Sequence, residues 1–112
     1  MKQITYDNFE NVEFRVGEVL TVETLANARK PAYVLHIDFG KDIGVLKSST
    51  QITDAYSAED IIGKQVVAVL NLPKKQIGKI MSECLVTGFD DALGRVILCV
   101  PDRPVPLGTR LY

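Results

Sequence analysis

Short runs of alternating apolar and polar residues predict strands along most of the chain. The clearest run is AYVLHIDF (32–39), in which Tyr33, Leu35, Ile37 and Phe39 fall on one face and the residues between them on the other. A continuously apolar run, QVVAVLNL (65–72), predicts a central strand that is buried on both faces. Together with these two, the pattern predicts strands at 14–25, 43–49, 83–89 and 95–100.

Two features interrupt this pattern. The apolar phase of the first strand slips between Val16 and Val19, and Gly17 at the slip predicts a bulge or a tight bend. Between the third and fourth strands, Ser57 and Asp60 have the spacing of a capping box, and Gly63 can end a helix. One short helix is therefore predicted between strands 3 and 4.

The predicted order is three strands, one helix and two strands, followed by an extra C-terminal strand and a proline-rich tail. This order favours a mainly β protein with a five-stranded OB-fold barrel. An SH3-like barrel is the main alternative, although it usually lacks a helix at that place. The 112 residues suit a single domain over 1–112, because domains of roughly 100–150 residues are the most common.

The extra strand RVILCV (95–100) is apolar on both faces. Val96, Leu98 and Val100 would lie on one face, with Ile97 and Cys99 on the other. A second apolar face has to be covered, and a second copy of the chain is the economical candidate. A larger core, or the proline-rich tail folded over the strand, would cover it as well.

Composition narrows the possible functions. Hydrophobic residues are 46% and charged residues 24%, and the net charge of −1 excludes a polycation that coats nucleic acid or membranes. No apolar run is long enough for a membrane helix, so no membrane insertion is expected. The start MKQITYDNFENVEF lacks the apolar stretch of a signal peptide, and a cytoplasmic location is expected. Cys84 and Cys99 are predicted to be buried free thiols, and no metal or cofactor site is expected.

The positions of the charges are more informative than their total. Residues 1–24 carry two basic and five acidic side chains, whereas 64–83 carry four lysines and one glutamate. Loops at the mouth of an OB barrel commonly carry the ligand, so the basic loop PKKQIGKIM (73–81) is a candidate binding site for nucleic acid. An ordinary solvated turn is the alternative. The candidate residues are Lys74, Lys75 and Lys79, with Lys47, Arg29 and Lys30 as further basic points and Ser48, Ser49, Asn71 and Ser82 as hydrogen-bonding groups.

Catalysis is not expected from this sequence. Its one histidine, His36, lies at a polar position of a predicted strand. No phosphate-binding, dinucleotide-binding or nucleophile-elbow motif is present, and no carboxylate pair stands out by its spacing.

Four motifs together resemble the tRNA-binding domain family. They are RVG (15–17), IDFG (37–40), NL (71–72) and Ser82 some ten residues later. The blocks ANARKPA (26–32), SSTQIT (48–53), KQVVAVLNLP (64–73) and PDRPVPLGT (101–109) resemble, within this family, small stand-alone members described as export-related chaperones. The resemblance implies an OB fold over nearly the whole chain.

The resemblance also implies partners. The stand-alone members are homodimers thought to bind unfolded or preprotein segments and to work with the SecA motor of the secretion machinery. The wider family binds the outer corner of tRNA. By resemblance, the nucleic-acid surface would comprise residues 28–30, 47–49, Asn71, the lysine loop and Ser82. The dimer side would comprise the last strand and the tail, with Pro101, Pro104 and Pro106 beside Val96, Leu98 and Val100.

Overall fold

The computed structural model describes residues 1–25 and 30–112, which form nine strands and two short helices. The mainly β class predicted from the sequence is confirmed. The helices are α1 (Tyr6–Glu10) and α2 (Ala58–Ile61); the strands are β1 (Phe14–Thr24), β2 (Tyr33–Asp38), β3 (Val45–Thr50), β4 (Gln65–Val69), β5 (Lys75–Ile77), β6 (Ile80–Ser82), β7 (Leu85–Val86), β8 (Gly88–Asp90) and β9 (Val96–Leu98).

Five strands form an antiparallel sheet in the order β3-β2-β1-β4-β7. The sheet curls until its two ends meet, because β3 hydrogen-bonds to the segment that leads into β7. The Glu83 amide donates to the Lys47 carbonyl at 2.8 Å, and the Ser48 hydroxyl donates to the Cys84 carbonyl at 2.9 Å. The result is the predicted five-stranded barrel, nearly closed, with α2 between β3 and β4.

The barrel interior is filled by alternate residues of β2 and by β4. Leu35 and Ile37 are fully buried, and Phe39, just after β2, is 1% exposed. In β4 the four residues 66–69 are all buried, which confirms the strand covered on both faces. Burial of each large aliphatic or aromatic side chain contributes about 1.5–3 kcal/mol, so these positions provide much of the stability.

Of the two possibilities predicted at Gly17, a bulge or a tight bend, the bulge is not present there. Gly17 pairs regularly with Val66, and the register of β1 shifts instead between Val19 and Thr21, opposite β2. A Cβ atom on Gly17 would lie 2.5 Å from a methyl carbon of Ile37 and 2.7 Å from the ring of Phe39. Glycine is therefore required at this position because the core closes directly over the strand.

The C-terminal tail lies beside the first half of β1. The Val16 amide donates to the Thr109 carbonyl at 3.0 Å, and the Gly108 amide donates to the Val16 carbonyl at 2.8 Å. The side-chain amide of Gln65 pairs with the backbone of Val105 through two hydrogen bonds, of 2.7 and 2.9 Å. The tail was predicted to be extended and irregular; it does contain little regular structure, but hydrogen bonds hold it to the barrel.

The helix α2 begins as the sequence predicts. The Ser57 amide donates to a carboxylate oxygen of Asp60 at 3.2 Å, which satisfies a backbone group that a helix start leaves unpaired. Gly63 follows the helix with a φ of +85°, a conformation that glycine adopts without steric cost.

Several strand boundaries differ from those predicted. The basic loop folds as the hairpin β5–β6, the segment 83–89 is divided into β7 and β8, and β4 ends three residues earlier than predicted. The helix α1 was not predicted; there the Thr5 hydroxyl accepts a hydrogen bond from the Asn8 amide and caps the first turn. The extra strand is short, and as β9 it pairs with β8 in a hairpin.

The close approach at Gly17 predicts a large cost for the smallest possible addition. We expect Gly17→Ala to lower the free energy of unfolding by about 1–3 kcal/mol, because the new methyl group displaces Ile37 and Phe39 from their packed positions. Urea denaturation measures the effect, and Glu23→Ala, at an exposed position of β1, is the control, expected to change it by less than about 0.5 kcal/mol. Equal stability of the two variants would contradict this account of Gly17.

Candidate binding site

The basic loop identified from the sequence is the hairpin β5–β6, which projects from the barrel. It leads into residues 82–84, the closing segment, which bonds to β3 and closes the barrel. The hairpin strands are joined through Gly78, whose φ of +59° suits a tight turn. In the hairpin register, Lys75 is opposite Ser82 and Ile77 is opposite Ile80. Because alternate residues of a strand share a face, these four side chains lie on one face of the hairpin.

A cavity of about 210 Å³ lies between this hairpin face and the barrel. Its apolar lining comes from Leu72, Pro73, Ile77 and Leu85. Its polar lining comes from Ser49, Lys75, Ser82 and Glu83, and Cys84 also contributes. Leu72 and Leu85 are about half exposed, at 49% and 52%, so apolar surface is open to solvent at this site.

Three of the predicted site residues, Ser49, Lys75 and Ser82, therefore line one cavity. Lys79 is exposed in the hairpin turn, and Lys74 is exposed just before β5. The Lys47 backbone contacts the same closing segment, because its carbonyl accepts a hydrogen bond from the Glu83 amide. The structure thus brings most of the predicted lysines to one side of the barrel.

Two other predicted site residues have their polar groups engaged within the protein. Ser48 is 1% exposed, and its hydroxyl bonds to the Cys84 carbonyl inside the barrel. The side chain of Asn71 accepts from the Glu13 amide at 3.0 Å and donates to the Asn11 carbonyl at 2.6 Å. Both residues thereby hold the fold together. Lys30 is exposed, and Arg29 lies outside the described residues.

Glu83 was noted only as the single acid in a basic stretch, yet it organises the site. One of its carboxylate oxygens accepts a hydrogen bond from the Lys47 amide at 2.9 Å. The other lies 3.7 Å from the Lys74 ammonium group. The sequence could have predicted this role, because an acid isolated among lysines is a natural ion-pair partner for one of them, here Lys74.

Cys84, as predicted, is a buried free thiol. Burial raises the pKa of its thiol to about 12, and the negative charge of Glu83 adds to the rise while a hydrogen bond with Ser48 opposes it. The thiol therefore stays protonated at neutral pH. Because the thiolate is the reactive form, Cys84 contributes packing and not nucleophilic chemistry.

The residues predicted for a dimer side are distributed between core and surface. Leu98 is 5% exposed and packs in the barrel core, where Val96 also makes contact. Val100 is 48% exposed, and Pro104 and Pro106 are exposed in the tail, whereas Pro101 is half-buried. Leu98 cannot present its side chain to a second chain, because the hairpin β8–β9 turns it inward.

A ring nitrogen of His36 lies 3.0 Å from the Thr21 hydroxyl on the neighbouring strand. Over residues 1–25 and 30–112, no group of three or more histidine, cysteine, aspartate or glutamate side chains could hold a metal ion. None of the helices described is long and apolar enough to cross a membrane.

The two hydrogen bonds of Asn71 predict a structural effect when its side chain is removed. We expect Asn71→Ala to lower the free energy of unfolding by about 1–2 kcal/mol and to speed hydrogen exchange at the Glu13 amide, since both bonds anchor the segment before β1. The control is Gln76→Ala, because the Gln76 amide bonds only to Gly78 within its own hairpin. If the Asn71 variant has unchanged stability and unchanged hydrogen exchange, the structural role is wrong and Asn71 belongs to the ligand surface as the sequence predicts.

Comparison with known proteins identifies relatives of two kinds. The structure of the chaperone CsaA from Bacillus anthracis superposes with a TM-score of 0.92 and 40% identity, covering 99% of this chain and 100% of that one. CsaA from Picrophilus torridus gives 0.91 and 42% identity, over 98% and 100% of the two chains. The methionine–tRNA ligase of Thermococcus kodakarensis is 31% identical over 99% of this chain, which spans only 14% of the ligase.

The family indicated by these relatives is the one that the sequence motifs and the barrel fold predict. The sequence profile described as "Putative tRNA binding domain" matches residues 14–110, that is, the barrel from the start of β1 to the tail beside it. The chain therefore belongs to the tRNA-binding domain family and resembles the CsaA chaperones within it.

Proposed function

We propose that this protein is a CsaA-like holding chaperone that binds unfolded or preprotein segments in the cytoplasm. The observation that carries the proposal is the match to two CsaA structures over nearly the full length of each chain, at 40% and 42% identity. By contrast, the matched methionine–tRNA ligases are several times longer than this chain. In this role the protein would bind clients without converting them, so it needs neither catalytic residues nor a cofactor.

The cavity beside the hairpin supports this role. It combines solvent-exposed apolar side chains at Leu72 and Leu85 with a lysine and two serines. Sites that accept many extended segments recognise alternate side chains of the client in shallow pockets. A small, open and largely aliphatic cavity suits weak and reversible binding of this kind. Preproteins held in this way could pass to a secretion motor such as SecA.

Self-association belongs to the same proposal. On the hairpin β8–β9, Phe89 is paired with Ile97 and is 63% exposed, and Leu93 in the turn is 77% exposed. Val100, just after this hairpin, is 48% exposed as well. Exposed apolar residues grouped in this way are typical of a subunit contact, and we propose a homodimer that uses this side of the barrel.

The chaperone role predicts a local effect at the cavity. We expect the protein to slow the aggregation of a chemically unfolded client, and Leu85→Asp to weaken this effect severalfold, because the charge replaces apolar lining. Light scattering of the client measures the rate. The control is Ile62→Asp, since Ile62 and Leu85 are equally exposed, at 51% and 52%, and Ile62 lies outside the cavity lining.

Two results would count against the chaperone role. The first is aggregation that proceeds at the same rate with and without the protein, together with no binding of preprotein peptides. The second is an equal loss of protection against aggregation in the two aspartate variants, which would show that the cavity is not the client-binding site. Circular dichroism of each variant shows that it is folded before the comparison is made.

A second candidate function, binding of tRNA, is favoured by the family and by the lysines. The family profile bears that description, and the matching part of the Thermococcus kodakarensis methionine–tRNA ligase covers 99% of this chain. On this chain Lys74, Lys75 and Lys79 project from one hairpin. Lysines grouped in this way suit contacts to phosphates, which position a nucleic acid without reading its sequence.

The tRNA candidate predicts a site-specific loss. We expect replacement of Lys74, Lys75 and Lys79 by glutamate to weaken tRNA binding about tenfold or more, and binding by the unchanged protein to fall steeply with salt. The matched control replaces Lys2, Lys41 and Lys64 by glutamate; these lysines are also exposed but lie elsewhere. Filter binding at several salt concentrations measures both effects. Equal loss in both triple variants would indicate unspecific attraction, and unchanged binding would exclude the hairpin as the site.

A further inference from the structure

The size of the cavity limits what can enter it. Sites for drug-sized ligands usually measure about 300–1,000 Å³, whereas this cavity measures about 210 Å³. It therefore accommodates a single side chain more readily than a whole small molecule. It is also open to solvent along the half-exposed Leu72 and Leu85, so that an extended chain can pass over it.

The chemistry of the walls selects the kind of side chain. The apolar lining consists of aliphatic residues and proline, and among the described residues that line the cavity there is no aromatic ring. Nucleobases in single strands are commonly held by stacking on aromatic side chains, and each stacked base contributes about 1–3 kcal/mol. An aliphatic cavity instead offers burial of an apolar side chain, which favours a peptide over a flipped base.

The charge at the mouth of the cavity is positive. Lys75 shares the cavity-facing side of the hairpin with Ile77 and Ser82, and it makes no ion pair within the described part of the chain. The one acid in the lining, Glu83, is engaged on both oxygens, by the Lys47 amide and by Lys74. Lys75 is therefore the charged group at this mouth that an anion on a bound segment would meet.

We infer that the cavity takes one aliphatic side chain of an extended peptide, and that Lys75 pairs with a carboxylate two positions away along that peptide. In an extended segment, alternate side chains point to the same side, and they are about 7 Å apart because the rise is about 3.3 Å per residue. An acidic residue at the adjacent position would instead point away from the protein. The inference rests on the proposed chaperone function and names its preferred clients as aliphatic-x-acidic segments.

Labelled peptides of one composition and different order test this inference by fluorescence anisotropy. The reference peptide has a leucine and a glutamate two positions apart in an otherwise polar sequence. We expect about tenfold weaker binding when the glutamate is moved next to the leucine or replaced by lysine, and a similar loss when the leucine is replaced by serine. Both chain directions are tested, because the cavity does not fix the direction of the peptide.

A charge reversal on the protein separates pairing from general attraction. We expect Lys75→Glu to prefer the lysine peptide over the glutamate peptide, whereas Lys41→Glu keeps the original preference. Lys41→Glu is a matched control because it makes the same charge change at an exposed position outside the hairpin and the cavity lining. A loss of fold would lower binding of every peptide and could not invert a preference.

The possible results are distinct. If peptides and unfolded clients bind but Lys75→Glu leaves the preference unchanged, the inference is overturned and the chaperone function stands. If neither peptides nor unfolded clients bind, both fail. If a single-stranded RNA oligonucleotide binds with loss on Lys75→Glu while no peptide does, the cavity belongs to nucleic acid and the inference is again overturned.

Discussion

Closure of the barrel between β3 and residues 82–84 is the contact on which the remaining structure depends. The strand at the far end of the sheet, β7, has only two residues and cannot complete a long ladder. Side chains therefore complete the closure: Ser48, Ser82 and Glu83 each bond to backbone groups across it. Because the hairpin β5–β6 leads directly into this segment, the closure also determines where the hairpin lies. The cavity wall and the contacts that close the barrel are thus partly the same residues, so binding and stability are coupled at this point.

The short polar residues of the site bond to the protein backbone, whereas its lysines extend toward solvent. Side-chain length explains this difference. Serine, asparagine and glutamate side chains are short enough to bond to nearby backbone, and in this fold Ser48, Asn71 and Glu83 do so. A lysine on a hairpin has a long flexible stem that keeps its charge in solvent. The short polar groups therefore build the site, and Lys75 and Lys79, unlike the Glu83-paired Lys74, keep their charges exposed to a partner.

Elements with a strong local signal were predictable from the sequence. The alternation of β2, the apolar run of β4 and the capping residues of α2 are each properties of a few neighbouring residues. The hairpin β5–β6 was not recognised, because its facing pair, Ile77 and Ile80, becomes meaningful only once the register is known. The bulge predicted at Gly17 was wrong for a related reason, since a glycine in a bulge and a glycine under a packed core look alike in sequence. The lysines were identified, but the cavity depends on the hairpin meeting a barrel strand some 30 residues away and could not be seen locally.

The tail that lies against β1 has a consequence for the order of folding. The first half of β1 is bordered by β4 on one side and by residues 108–110 on the other, and the Arg15 side chain bonds to the Gly108 carbonyl across a sequence separation of 93 residues. Contacts between such distant residues form late, because the chain entropy lost in closing a long loop must be overcome first. During synthesis, the first half of β1 therefore cannot complete this edge until residues 108–110 have left the ribosome. A protein proposed to bind unfolded or preprotein segments thus itself passes through an incompletely paired state in each round of synthesis.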